Sequence, residues 1–165
     1  MHSGLLGVAR TLADDAGGGF PERRVAISAA YYALFNKLAA FCANALVGPP
    51  TEDRPERAWL EAYRNLSHAA AHKACEECVR RSERLDGFPH GIVVFSRYYP
   101  IAMRLRQRAD YDPTFQPTRA QTVAHVAAVA TAMNEVELVR VADRRAFAAF
   151  VHFAQGRRNI ARSDG

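Results

Sequence analysis

Arg64 and His68 stand four residues apart, the interval that puts two side chains on one face of a helix. A guanidinium grips a phosphate through paired, directional hydrogen bonds, and an imidazole titrates near neutrality and moves protons. Together they suit work at a phosphodiester. The plainer reading is a solvated polar helix face. Arg104, Arg106 and Arg108 form a second cationic run. Two-residue spacing splays side chains around a helix, so one of the three must turn inward or toward a partner. Further basic clusters are Arg23-Arg24, Arg80-Arg81-Arg84, Arg144-Arg145 and Arg157-Arg158. Lys37 and Lys73 are the only lysines, so nearly all the positive charge is guanidinium, the group suited to bidentate phosphate binding. The formal net charge of +5 tilts partners toward polyanions such as RNA or nucleotides.

His68, His72, Cys75 and Cys78 make a string of imidazoles and thiols at helical spacing, a donor set that suits zinc. No second ligand pair follows, and no Glu separates the histidines as in a zinc-protease helix. The expectation is no metal and no other cofactor, with buried or half-buried thiols. Cys42 brings the cysteine count to three, and the N-terminal apolar stretch is interrupted by Arg10, Asp14 and Asp15, unlike a secretory signal. No run reaches the ~18 apolar residues of a membrane helix. Free thiols in a reducing cytoplasm follow as the expected setting.

The elements that position these residues read as helices throughout. Gly17-Gly18-Gly19, Gly48-Pro49-Pro50, Asp86 to Gly91, and Asp110 to Pro117 punctuate the chain. Between them the pattern predicts helices over 3–15, 21–47, 55–84, 95–109, 118–141 and 143–155. Val25, Ala29, Tyr32, Phe35, Leu38 and Cys42 give the second an apolar stripe. That phase makes Tyr32 a core residue and turns Tyr31 toward a groove or partner. Ile92 to Phe95 reads as an apolar loop or helix lead-in, with the helix proper starting near Pro100. Thr118 suits an N-cap, and so does Asp143. Asp110 is placed to pair with Arg24 or Arg106 and fix a helix junction. The fold expected is all-α: an up-and-down antiparallel bundle of four main helices with short helices at both termini. Residues 1–155 form one domain and 156–165 a basic, flexible tail.

Two stretches together resemble the HEPN family. Arg24-Val25-Ala26-Ile27-Ser28-Ala29-Ala30-Tyr31-Tyr32-Ala33-Leu34-Phe35-Asn36 is similar to the family's R-x-A-x-S-x-A-Y-Y-A-x-F-H helix. Arg106-Gln107-Arg108-Ala109-Asp110-Tyr111-Asp112-Pro113 is similar to its later R-x-x-A-D-Y-D segment. Tyr63 to His68, with Lys73-Ala74-Cys75, resembles an uncharacterised bacterial branch. The resemblance implies a small helical bundle that works as a dimer. It also implies association with RNA or nucleotides, or with a cognate nucleotidyltransferase or antitoxin protein, in a toxin–antitoxin or defence setting. Active members are metal-independent RNases with an Arg followed a few residues later by a His at the dimer seam. Here no His follows Arg106 as far as Pro113, and Asn36 stands where relatives often have His.

The leading expectation is therefore an RNA-, nucleotide- or partner-binding homodimer with no membrane association. Arg24, Tyr31, Arg104, Arg108, Asp110 and Tyr111 are its binding residues. A divergent metal-independent endoribonuclease using Arg64, His68 and Arg106 is the enzymatic alternative. A purely structural interaction bundle is the third.

Overall fold

In the computed structural model the described residues are 2–51, 53–82 and 87–163, with side chains described from 3 to 153 in those ranges. Arg84 and Asp86, and the side chains of Arg157 and Arg158, lie outside them. The described chain is all helical: α1 (His2–Asp14), α2 (Phe20–Leu46), α3 (Glu56–Arg64), α4 (His68–Ser82), α5 (His90–Tyr111), α6 (Arg119–Glu137) and α7 (Val141–Ser163).

The hub is α2, which packs against α1, α3, α5, α6 and α7. Its start is fixed by Pro21 in the first turn and by Glu22, whose carboxylate accepts the Gly19 N–H at 2.8 Å. Ala26, Ala30, Ala33 and Ala39 are fully buried, and small side chains let neighbouring helices approach α2 on several sides. Burial around so much of its circumference also explains why α2 is long and apolar enough to cross a membrane by length and composition, contrary to the sequence reading. Of its most apolar window, 67% is buried against the other helices, as in a core helix. Val25, placed on the stripe by the sequence pattern, is 53% exposed.

The helix expected over 55–84 is two helices. Asn65 ends α3, its N–H reaching the Glu61 carbonyl. The buried Leu66 plugs into the core. Ser67 then opens α4, its hydroxyl accepting the Ala70 N–H at 3.1 Å. Arg64 and His68 thus belong to different helices and share no face.

The helix expected over 95–109, with its proper start near Pro100, already begins at His90. Pro89 is the N-cap residue of α5, and its carbonyl accepts the Ile92 and Val93 N–H groups. Ile92 and Phe95 are buried, and their packing outweighs the few tenths of a kcal/mol that β-branched residues cost a helix. Gly91 allows the close approach that seats this end: a Cβ there would lie 2.3 Å from the Glu135 carbonyl oxygen of α6. Pro100 sits inside α5, where it deprives the Ser96 carbonyl of its helical donor.

Thr118 caps α6 reciprocally with Gln121: each backbone N–H meets the other's side-chain oxygen, at 3.2 and 2.9 Å. Arg144 closes the other end of α6, donating from Nε to the Val139 carbonyl at 2.6 Å and from its terminal nitrogen to the Glu137 carbonyl. Asp143 does not cap α7. It lies in the first turn, where it suits the helix dipole, and accepts from Arg140 Nε at 3.0 Å.

Candidate functional site

Arg24, Ser28, Tyr31, Tyr32 and Phe35 line one side of α2, and the C-terminal half of α5 meets them there. Arg24 Nε donates to the Ala109 carbonyl at 2.7 Å, and the Ser28 hydroxyl donates to Asp110. Arg106 forms an ion pair with Asp110, Nε to Oδ2 2.6 Å, and donates to the Tyr32 hydroxyl at 2.6 Å. Its guanidinium also lies over the Tyr32 and Tyr111 rings, 5.3 and 5.4 Å from their centroids. The Tyr-Tyr and Ala-Asp-Tyr segments are therefore joined: Asp110 pairs with Arg106 within α5 and reaches α2 through Ser28, while Arg106 reaches Tyr32 and Arg24 reaches the Ala109 carbonyl.

The first residue of α4 enters the same cluster. His68 Nδ1 is 2.6 Å from the Tyr31 hydroxyl, and its ring stacks on Phe35 with centroids 3.8 Å apart. Tyr31 in turn meets the Tyr99 hydroxyl at 3.2 Å. The two tyrosines have exchanged the roles the sequence pattern gave them. Tyr31 is core, 1% exposed, whereas Tyr32 is half-buried and faces Arg106. Tyr31 and Tyr32 lie about 100° apart around α2, and a helix packed against five others buries more than the single face the stripe marks.

The proton positions follow from burial. Tyr99 is fully buried, and Tyr31 is its hydrogen-bond partner among the described residues. Burial raises the pKa of both hydroxyls, so both keep their protons. Each proton finds an acceptor only if Tyr99 donates to Tyr31 and Tyr31 donates to His68 Nδ1. His68 is neutral in this arrangement, its pKa lowered by burial and then by the Arg106 charge. Its remaining proton sits on Nε2. The cluster thus offers two kinds of donor, an imidazole N–H and a guanidinium, beside the N-terminus of α4. That is an arrangement for receiving an anion.

The other expected site residues are scattered. Arg64 ends α3, exposed, beside a shallow depression with Glu61, Ala62 and Asn65 and away from His68. Arg104 is exposed on another face of α5, near Arg80 and Arg97. Arg108 pairs with Asp112 at 3.6 Å and covers the Phe115 ring. Tyr111 is 72% exposed. Of the three splayed arginines, Arg106 is the one that turns inward.

The imidazole–thiol string also separates. His68 faces Tyr31, His72 faces Glu76 at 3.4 Å, and Cys75 and Cys78 are buried beside Ser96. Burial pushes both thiols up, away from the thiolate a metal takes. Among the described residues, no three His, Cys, Asp or Glu side chains are grouped to hold an ion.

Sequence reasoning did not single out Tyr99, and it read Phe35 only as part of the apolar stripe of α2. Tyr99 sits in an uninterrupted apolar stretch next to a proline, with nothing to mark its hydroxyl as a relay. The fold and this cluster define the protein as an all-helical domain with a buried tyrosine relay behind a His–Arg pair. No family model, no curated protein and no solved structure matches the chain.

Proposed function

We propose that the chain is a HEPN-like module that binds RNA or a nucleotide by its phosphate at the His68–Arg106 cluster. The observation that carries this reading is the meeting of His68 and Arg106 around Tyr31 and Tyr32, although they come from different helices. In the same reading four main helices run up and down, the chain is a homodimer, and its setting is a toxin–antitoxin or defence module. The up-and-down order rests on the short connections between helices, and the dimer and its setting on the resemblance of residues 24–36 and 106–113 to the family.

The tautomer favours binding over cleavage. A general base needs a free lone pair directed at the substrate hydroxyl. With Nδ1 accepting from Tyr31, the outward nitrogen carries a proton and donates. A divergent endoribonuclease remains the second reading because the same Arg–His pair serves it. It requires the relay to reverse, so that Nδ1–H donates to Tyr31 and the buried Tyr99 proton loses its acceptor.

Filter binding of single-stranded RNA across a tenfold salt range tests the first reading. Affinity should fall steeply with salt, and Arg106→Ala should flatten the slope by about one phosphate contact. Salt-independent binding, or none, would overturn it. Cleavage of the same RNA without metal, abolished by His68→Ala, would establish the second.

A further inference from the structure

A cleft of about 830 Å³ lies where the C-terminal part of α2 meets the α6–α7 turn and the start of α7. Its cationic groups are Lys37, Arg144 and Arg145, and Glu137 is its carboxylate. Lys37 is only 8% exposed and is ion-paired with Glu137. Arg144 is held by the Val139 and Glu137 carbonyls, which position its charge without neutralising it. Arg145 is exposed and has no ion-pair or hydrogen-bond partner among the described residues. Three cations against one carboxylate leave two positive charges uncompensated. Burial lowers the Lys37 pKa, and repulsion from the nearby Arg144 adds to it.

The remaining walls are apolar. Phe41, Val47, Pro49 and Val141 line the cleft, and Val141 is 61% exposed. One polar group among them is fixed in orientation. Asn44 Oδ1 accepts the Trp59 indole N–H at 2.8 Å, which leaves its NH₂ free for a ligand acceptor. The volume lies within the range of small-molecule sites.

We infer that this cleft binds a phosphate monoester carried on a largely apolar body of about nucleoside size. A dianionic phosphate matches the two uncompensated charges at Lys37, Arg144 and Arg145. The body lies on Phe41, Val47 and Pro49, and an acceptor on it meets the Asn44 amide. This site is separate from the His68–Arg106 cluster and does not depend on the function proposed there. A lone inorganic phosphate would satisfy the charges and leave the apolar wall and the oriented amide unused.

The test is titration of the full chain, with uniform ¹⁵N labelling, by adenosine monophosphate, adenosine and inorganic phosphate, followed by backbone amide shifts. Saturable shifts at Ala40, Phe41, Asn44 and Arg145 are expected with the monophosphate. Affinity should be at least about tenfold weaker for adenosine and for inorganic phosphate. Arg145→Ala, an exposed and unpaired position, should weaken the monophosphate by about tenfold and leave the spectrum otherwise that of the folded protein. Arg106→Ala should leave this titration unchanged, whatever it does to RNA binding. Adenosine binding as tightly as its monophosphate would overturn the proposal. So would shifts centred on His68, indifference to Arg145→Ala, or no saturable shift up to millimolar ligand.

Discussion

The protein carries two cationic regions on different sides of its central helix, and they are built on opposite principles. At the His68–Arg106 cluster the central groups are paired: Asp110 and Tyr32 hold Arg106, His68 is kept neutral by burial and a tyrosine relay, and Arg24 is anchored on the Ala109 carbonyl. At the Lys37 cleft the charges are positioned but not balanced, and among the described residues nothing answers Arg145. The first arrangement joins helices and presents donors as a finished surface. The second stores positive potential in a pocket. A motif is therefore a poor guide to where a charge is unsatisfied, because motif residues are often those that fold the site.

Acidification should separate the two most strongly. His125 on α6, buried and 2.7 Å from the Tyr98 hydroxyl, has its pKa depressed from 6.5 to about 4 by burial. A depressed folded-state value means the unfolded chain takes up the proton first. The stabilisation is present above pH 6.5 and is lost as pH falls toward 4. The loss should reach about 3 kcal/mol, read by urea unfolding at several pH values. His125→Asn should flatten that dependence, and a pH profile unaltered by the substitution would refute the assignment.

Gly91→Ala should come next, at about 2 kcal/mol, because its Cβ would meet the Glu135 carbonyl. Displacing that end of α6 should disturb amides around Glu137 and the cleft more than those around His68. Equal disturbance in both regions would show that they are not structurally separable.

The smallest contrast is between single arginines. Arg106→Ala removes the Tyr32 donor and leaves Asp110 with Ser28 alone among the described residues, and should cost about 1–2 kcal/mol by thermal unfolding. Arg145→Ala should change stability by less than about 0.5 kcal/mol. If the two costs are equal, the balanced and unbalanced regions do not differ as described.

Much of the helical framework was readable from punctuation and caps. Thr118 with Gln121, and Pro21 with Glu22, mark helix starts that local chemistry determines. The break at Asn65-Leu66-Ser67 was hidden because alanine-rich sequence on both sides favours helix, and a single serine cap carries little weight in a pattern. The lead-in at Ile92 read as non-helical because its propensity is modest, while the packing that decides it involves α6. Asp110 at a helix junction was legible from spacing. The Tyr31–Tyr32 phase was not, since a hub helix buried on several sides has no single stripe. Lys37, Arg144 and Arg145 form a site only through the α2–α7 contact, and no local pattern encodes that meeting.

Cys42, Cys75 and Cys78 are all buried free thiols, contributed by α2 and α4. A thiol-specific reagent added in excess reaches them only when those helices part. The rate at which the protein becomes labelled therefore serves as an internal clock for opening of the interior, with no introduced probe.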